Sequence, residues 1–269
     1  MRITVHSEPV FVQTGGQPFD VNKPALVFLH GAGMDHTVWG QQTRYFAHRG
    51  YAVLAVDLPG HGRSGGTAIP TIGDLADWLA SFIDALELPS VNLIGHSMGA
   101  LMALEAAARH AGKTSAVALL GVATRMPVHR DLLAAAADNK PLAAALIASW
   151  GHGGRAHRGG NIASGIWLIR NAIRLIERSR PGILATDLKA CDVYEGALES
   201  AGKIKCPVLM LLGATDRMTP LKVALPLGEA ITGSRTVILP NCGHMMMVEE
   251  PAQTLSALKT FLASARIDA

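Results

Sequence analysis

The stretch Val91-Asn92-Leu93-Ile94-Gly95-His96-Ser97-Met98-Gly99-Ala100 decides the reading of the whole chain. A run rich in Val, Leu and Ile enters Gly-His-Ser-Met-Gly, and a helical pattern continues over residues 100–111, so the segment predicts strand, sharp turn, helix. Ser97 stands at the turn. A bend that tight leaves no room for side chains on either side, because they would meet the adjoining strand and helix, and both flanking positions, Gly95 and Gly99, are glycine. The Met98 N–H opens the helix, and the positive end of the helix dipole faces the space before the Ser97 hydroxyl. That amide supplies half of an oxyanion hole. A Gly-x-Ser-x-Gly match arises easily in a chain with 28 glycines, and it is the strand and helix around it that make this one specific.

With these elements the chain resembles the α/β-hydrolase superfamily, whose members carry nucleophile, acid and histidine in that order. The resemblance implies a mostly parallel sheet of about eight strands with helices on both faces. It further implies a helical cap, residues 125–203, inserted after the sixth strand between two parts of one core domain, residues 1–124 and 204–269. Ala25-Leu26-Val27-Phe28-Leu29 reads as a buried strand leading into His30-Gly31-Ala32-Gly33. In the family that loop brings a second amide, here Ala32 N–H, against the nucleophile.

Two further stretches complete the constellation. The predicted strand Cys206-Pro207-Val208-Leu209-Met210-Leu211-Leu212-Gly213 ends in a loop holding Asp216, and parallel sheets gather functional loops at the carboxyl ends of their strands. An Asp before Thr-Pro also suits a turn or a helix cap. The match Gly-x-x-Asp-x-Met-x-Pro resembles the family's acid loop and assigns Asp216 to it. Among eleven histidines, His244 alone follows both partners, stands after a strand end, and lies in a Gly-His-Met setting before Glu249-Glu250-Pro251 that resembles the family pattern. His30 and His96 read as backbone-shaping. Asp57, His61 and Arg63, flanking Pro and Gly after the strand at 51–56, read as structural turn chemistry.

The remaining pattern is one of ordinary elements. Residues 2–6 and 9–14 form an antiparallel pair at the sheet edge, with Glu8-Pro9 as its turn. Helices are predicted over 37–49, 71–88 and 251–263, and strands over 116–121 and 236–240. No carboxylate follows the strand at 116–121, where some family members place the acid. The Gly/His/Arg segment at 151–160 reads either as a mobile lid or as a slack connection. Arg170, Arg174 and Arg178, spaced by four, form a cationic stripe that reads as a solvated helix face.

Composition narrows the class. A chain of 269 residues with 49% hydrophobic content buries a large core, and a net charge of +3 is too small for nucleic-acid binding. No apolar run reaches the ~18 residues of a membrane span, and no signal-peptide core opens the chain, so no membrane association and a cytoplasmic location are expected. Cys191, Cys206 and Cys242 lack metal spacing and read as buried thiols, with no metal and no cofactor expected. Residues 125–203 carry eleven Lys/Arg against seven Asp/Glu and are the basic part. Homo-oligomerisation is left open.

The chemistry expected is hydrolysis of a small or medium ester through an acyl-enzyme on Ser97, with His244 as base and Asp216 orienting it. Trp150, Trp167, Met218 and Met245 are the pocket candidates, with Met98 and Met246 beside them. A serine at 97, where haloalkane dehalogenases and epoxide hydrolases of the superfamily carry aspartate, argues against those activities. Carbon–carbon bond cleavage of the meta-cleavage type is the alternative; it needs a cation for a carboxylate, from Arg125, Arg155 or Arg174, and its members have a bulky aromatic where Met245 stands. A lactonase and a ligand receptor on the same scaffold stay open.

Overall fold

Eight strands form one sheet, in the order β1-β2-β4-β3-β5-β6-β7-β8. They are β1 (Arg2–Val5), β2 (Glu8–Gln13), β3 (Ala25–Leu29), β4 (Ala52–Val56), β5 (Val91–His96), β6 (Thr114–Leu120), β7 (Val208–Gly213) and β8 (Arg235–Leu239). The first two pair antiparallel at one edge, β2 joins β4 antiparallel, and every later pairing is parallel. This computed structural model describes residues 1–160, 162 and 166–265. No helix among them is long and apolar enough to cross a membrane.

The central strands β3, β4 and β7 are buried at every position, as their unbroken apolar runs require when both faces of a parallel sheet are covered. Alternate residues serve two cores. Val27 and Leu29 join Leu54 and Val56 on one face, against the helices Ile72–Ala85 and Met98–Arg109. Leu26 and Phe28 join Val53 and Ala55 on the other, against Trp39, Phe46 and the C-terminal helix Pro251–Ala265. The predicted elements at 71–88, 116–121 and 236–240 are present with ends displaced by a few residues, and the helix predicted over 37–49 is a short turn, His36–Trp39, followed by Gly40–Ala47. One turn differs. The edge hairpin bends at His6 and Ser7, both with positive φ, while Glu8 and Pro9 lie in β2. A two-residue hairpin needs left-handed backbone at its centre, and proline, with φ held near −65°, fits an edge strand instead.

Between β6 and β7 the regular elements among the described residues are all helices, from Arg130–Ala137 through Pro141–Gly151, Gly154–His157, Leu168–Glu177 and Ile183–Val193 to Ala197–Ala201. The segment at 151–160, read as a lid or a slack connection, is fastened along its first half. The Gly151 carbonyl accepts from His244 N–H at 2.9 Å, Gly153 N–H donates to Glu249 at 2.7 Å, and Arg155 pairs with Glu250. Arg170, Arg174 and Arg178 are exposed, Arg178 pairing with Asp35. The described residues contain no disulfide: Cys191 and Cys242 are buried, whereas Cys206, expected to be buried, is partly exposed. Burial pushes the Cys206 thiol up to about 11 and the other two higher still.

Glu249 gathers this region. Its carboxylate, 3% exposed, accepts from Gly153 N–H on the insertion and from Gly243 and Met245 N–H on either side of His244. Burial raises its carboxyl against the lowering effect of those three amides. Removing the acceptor leaves three donors without a partner, each worth ~1–3 kcal/mol when buried unsatisfied. Glu249→Ala is therefore expected to lose on the order of 3 kcal/mol or more in urea unfolding, and Glu249→Gln, which keeps one acceptor oxygen, distinctly less.

Candidate active site

The turn between β5 and the helix Met98–Arg109 holds Ser97 at φ 54° and ψ −116°, a conformation that costs a non-glycine residue about 1–3 kcal/mol. Neighbouring backbone holds it there. Ser97 N–H donates to Leu120 C=O at 2.9 Å, and its carbonyl accepts from Ala100 and Leu101 N–H at 2.9 and 3.1 Å. The flanking glycines are obligatory for a geometric reason. A Cβ on Gly95 would stand 2.2 Å from Gly99 O, and one on Gly99 would stand 2.5 Å from Leu29 O on β3.

The loop after β7 places Asp216, 6% exposed, beside the loop after β8 that carries His244, 1% exposed. His244 Nδ1–H donates to Asp216 Oδ2 at 2.8 Å. That carboxylate is filled on every side: Oδ2 also accepts from Thr219 Oγ1–H at 2.7 Å, and Oδ1 from Met218 and Thr219 N–H at 2.8 and 2.9 Å. Burial pushes the Asp216 carboxyl up, but the His244 imidazole and these donors hold it well below the usual carboxylate range. With Nδ1 engaged, His244 Nε2 is left buried and without a hydrogen-bond partner among the described residues.

Ser97 and His244 line one cavity of about 390 Å³. Trp150, Met218 and Met245 line it too, as the sequence predicts, together with Ala32. Trp167 does not: it precedes the helix Leu168–Glu177 and is 65% exposed, since that helix turns Leu168 and Ile176 inward and leaves its leading tryptophan outside. Met98 and Met246 are wholly buried in the two cores and do not reach the cavity. The loop His30–Gly33 passes so close to the turn that a Cβ on Gly31 would lie 3.3 Å from Ser97 Cβ. Neither Ala32 N–H nor Met98 N–H has an acceptor among the described residues.

The cations fall elsewhere than the sequence placed them. Arg125 pairs with exposed Glu195, Arg155 is held by Glu249 and Glu250, and Arg174 lines a separate groove. The arginine lining the cavity is Arg217, an exposed residue next to Asp216, with no ion pair among the described residues; His129 also lines the cavity. Its place directly after the acid was the available signal.

Of the other buried histidines at this end of the sheet, His30, His96 and His152 have no carboxylate behind the ring that would make them a base. His30 Nδ1–H donates to Gly31 O while its Nε2 accepts from Leu58 N–H, and burial pushes it down to about 4. His96 Nε2–H donates to His244 C=O at 3.0 Å, and burial holds it far below the usual imidazole range. Asp57 is structural: His36 N–H and ring and Arg63 N–H fill its carboxylate. Asp35, His36 and Asp57 are the one group of described residues whose atoms lie close enough to share a cation, within 4.8 Å, and their hydrogen bonds run among themselves and to Thr37, Arg63 and Arg178.

Comparison with known proteins gives the family. The chain is 25% identical over 258 residues to an (E)-2-((N-methylformamido)methylene)succinate hydrolase of Acinetobacter baylyi, covering 94% of this chain and 92% of that one. It is 30% identical over 250 residues to a pimeloyl-[acyl-carrier protein] methyl ester esterase of Aromatoleum aromaticum, covering 86% and 95%. In three dimensions it superposes on the enol-lactonase of Burkholderia xenovorans with a TM-score of 0.85 at 23% identity, over 98% of this chain and 100% of that one, a likeness of fold. Residues 26–257 match the alpha/beta hydrolase family, and the chain is an enzyme of that family.

Proposed function

We propose that the enzyme is a serine hydrolase that cleaves carboxylic esters of small to medium substrates through an acyl-enzyme on Ser97. The observation that carries the reading is the buried Asp216–His244 pair, whose free Nε2 shares a cavity with a serine held on strained backbone. A serine hydroxyl is a weak nucleophile at neutral pH, so its proton must leave as it attacks. His244 Nε2 accepts that proton. The hydrogen bond to Asp216 holds the proton of the resting ring on Nδ1, and the carboxylate stabilises the imidazolium that forms.

Attack on the ester carbon turns the carbonyl oxygen into an anion. Ala32 and Met98 N–H, which have no acceptor among the described residues, are the amides that receive it; a donor of this kind is typically worth ~10²–10³ in rate. His244 then returns its proton to the departing alcohol, and water drawn by the same ring releases the acid. The helical insertion, residues 125–203, serves as a cap over the core formed by 1–124 and 204–269, since Trp150 and Cys191 from it line the cavity with Ser97.

The cavity wall also bears on the choice of ester. It is mostly apolar, and Arg217 is its cation. An arginine without an ion pair among the described residues favours a substrate whose apolar chain ends in a carboxylate. A relative named for a succinate derivative is consistent with that. The same cation would serve carbon–carbon cleavage or lactone opening of an acidic substrate, which the product distinguishes.

Hydrolysis of p-nitrophenyl esters of rising acyl length, by the wild type and by Ser97→Ala, tests the mechanism. Activity in the wild type and a loss of ~10⁴-fold or more in Ser97→Ala and His244→Ala are expected, with Asp216→Asn losing somewhat less. Tight ligand binding with no turnover of any ester would point to a receptor instead. For the substrate class, Arg217→Gln is expected to raise KM about three- to tenfold for monoesters of dicarboxylic acids and to leave neutral esters unchanged.

A further inference from the structure

Asp187 lies on the insertion helix Ile183–Val193, 126 residues from His61 and 154 from Gly33, yet it meets both. Its side chain is buried, at 1% exposure for the residue. Asp187 Oδ2 accepts from Gly33 N–H at 2.8 Å and from His61 Nε2–H at 2.7 Å. The other ring nitrogen of His61, Nδ1, stands 3.0 Å from Pro59 C=O. A carbonyl and a carboxylate both accept, so each nitrogen of His61 carries a proton and the ring is an imidazolium. We infer that the Asp187–His61 ion pair is a clamp by which the insertion orients the oxyanion loop, with Asp187 as a positioning residue for the reaction on Ser97.

The argument runs through two successive peptide planes. In a trans peptide the C=O and the following N–H point in opposite directions. Gly31 C=O is taken by His30 Nδ1–H at 2.9 Å and Met34 N–H at 3.2 Å, so Ala32 N–H, on the other side of that plane, is turned away from them. The next plane is fixed from outside the core, because Gly33 N–H ends on Asp187. Gly33 sits at φ +66°, and a Cβ there would lie 2.8 Å from Leu184 of the same insertion helix. The loop is thus held on one side by the core histidine and on the other by the insertion. Arg180 adds a second tie, donating to Ser64 C=O at 2.5 Å.

The charge on His61 matters to the clamp, and every titratable group near it works in a known direction. Burial opposes the cation, while Asp187, the bond to Pro59 and Asp57 favour it, and the net effect raises the His61 imidazole above its usual range. His30, with its ring centroid 4.8 Å away, is neutral and kept so by burial and by His61 itself. Cys191 faces Asp187 from one turn along the helix with its thiol pushed far up by burial, so it stays protonated. A raised histidine contributes fully below its unfolded value of ~6.5 and loses its contribution as pH rises through the folded one. The proton left on the neutral ring stays on Nε2 beside the carboxylate and the bare Nδ1 faces Pro59 C=O, so the hydrogen bond outlasts the charge. The clamp is therefore strongest below that unfolded value and weakens as pH rises through the raised one.

The inference rests on the ester reading for its kinetic consequence but has readouts of its own. In Asp187→Asn, kcat for a p-nitrophenyl ester is expected to fall about ten- to hundredfold with KM within threefold, and Gly33 amide hydrogen exchange to quicken at least tenfold. Nitrogen NMR of ring-labelled protein should show both His61 nitrogens protonated in the wild type to a higher pH than in a free imidazole. His61→Gln, which keeps a donor to Asp187 but does not titrate, should retain more of kcat than His61→Ala and lose the alkaline decline of kcat expected of the wild type. The clamp is overturned if folded Asp187→Asn keeps kcat within twofold, if Gly33 exchange is unchanged, or if His61→Gln leaves the alkaline decline in place. A wild type inactive on every ester would sink the ester reading alone, since Gly33 exchange and the His61 proton count still decide the clamp.

Discussion

A carboxylate taken out of water must be given donors in return, and this enzyme meets that constraint with the amides its strand-end loops leave unpaired. Loops at the carboxyl ends of parallel strands leave the ladder with N–H groups that need acceptors. Four buried carboxylates collect them. Asp57 takes the amides of His36 and Arg63, Asp187 that of Gly33, Asp216 those of Met218 and Thr219, and Glu249 those of Gly153, Gly243 and Met245. Each loop bearing a candidate catalytic group other than Ser97 ends on one of these anions. The serine is held differently, by a carbonyl of β6 and the first turn of its own helix, an arrangement that suits the proposed nucleophile because it uses the backbone and not the hydroxyl.

What was legible in the sequence is what depends on neighbours in the chain. The strand-turn-helix at 91–109 and the unbroken apolar strands are decided within a dozen residues. The same holds for the acid and histidine loops, whose flanking residues resembled a known pattern. Asp187 escaped because its partners lie far away along the chain, and Glu249 because the amide that ties it to the insertion, that of Gly153, is 96 residues away. Trp167 was misplaced for a related reason. A large aromatic in an apolar segment suits a pocket, but which side of a helix faces the cavity follows from packing against other helices, here Leu168 and Ile176. The arginines were drawn from the basic insertion on charge alone, whereas the cavity's cation stands on the core beside the acid.

The glycines at 151–160 show the same limit from another direction. Glycine raises the cost of ordering a segment, and composition alone suggested a slack or opening loop. The structure instead uses Gly153 for close approach: a Cβ there would meet Thr215 Oγ1 at 3.0 Å and the Gly243 amide at 3.2 Å. A segment that must lie against the histidine loop has no room for side chains. Glycine content alone does not tell mobility from tight packing, and the contacts of this one favour packing.

The histidines around the cavity differ in function only through what stands behind each ring. His152 resembles His244 in outline, since both line the cavity and both present an Nε2 without a partner among the described residues. Behind His152 Nδ1 is the carbonyl of Ala148, and burial pushes its ring down to about 4, so a proton accepted there would be held weakly. Behind His244 Nδ1 is instead the carboxylate of Asp216. His61 has an anion on one nitrogen and a carbonyl on the other, leaving no lone pair for a substrate and making it a charged strut. A base needs one free nitrogen and one anion behind the other, and around this cavity His244 is the ring whose described partners supply both.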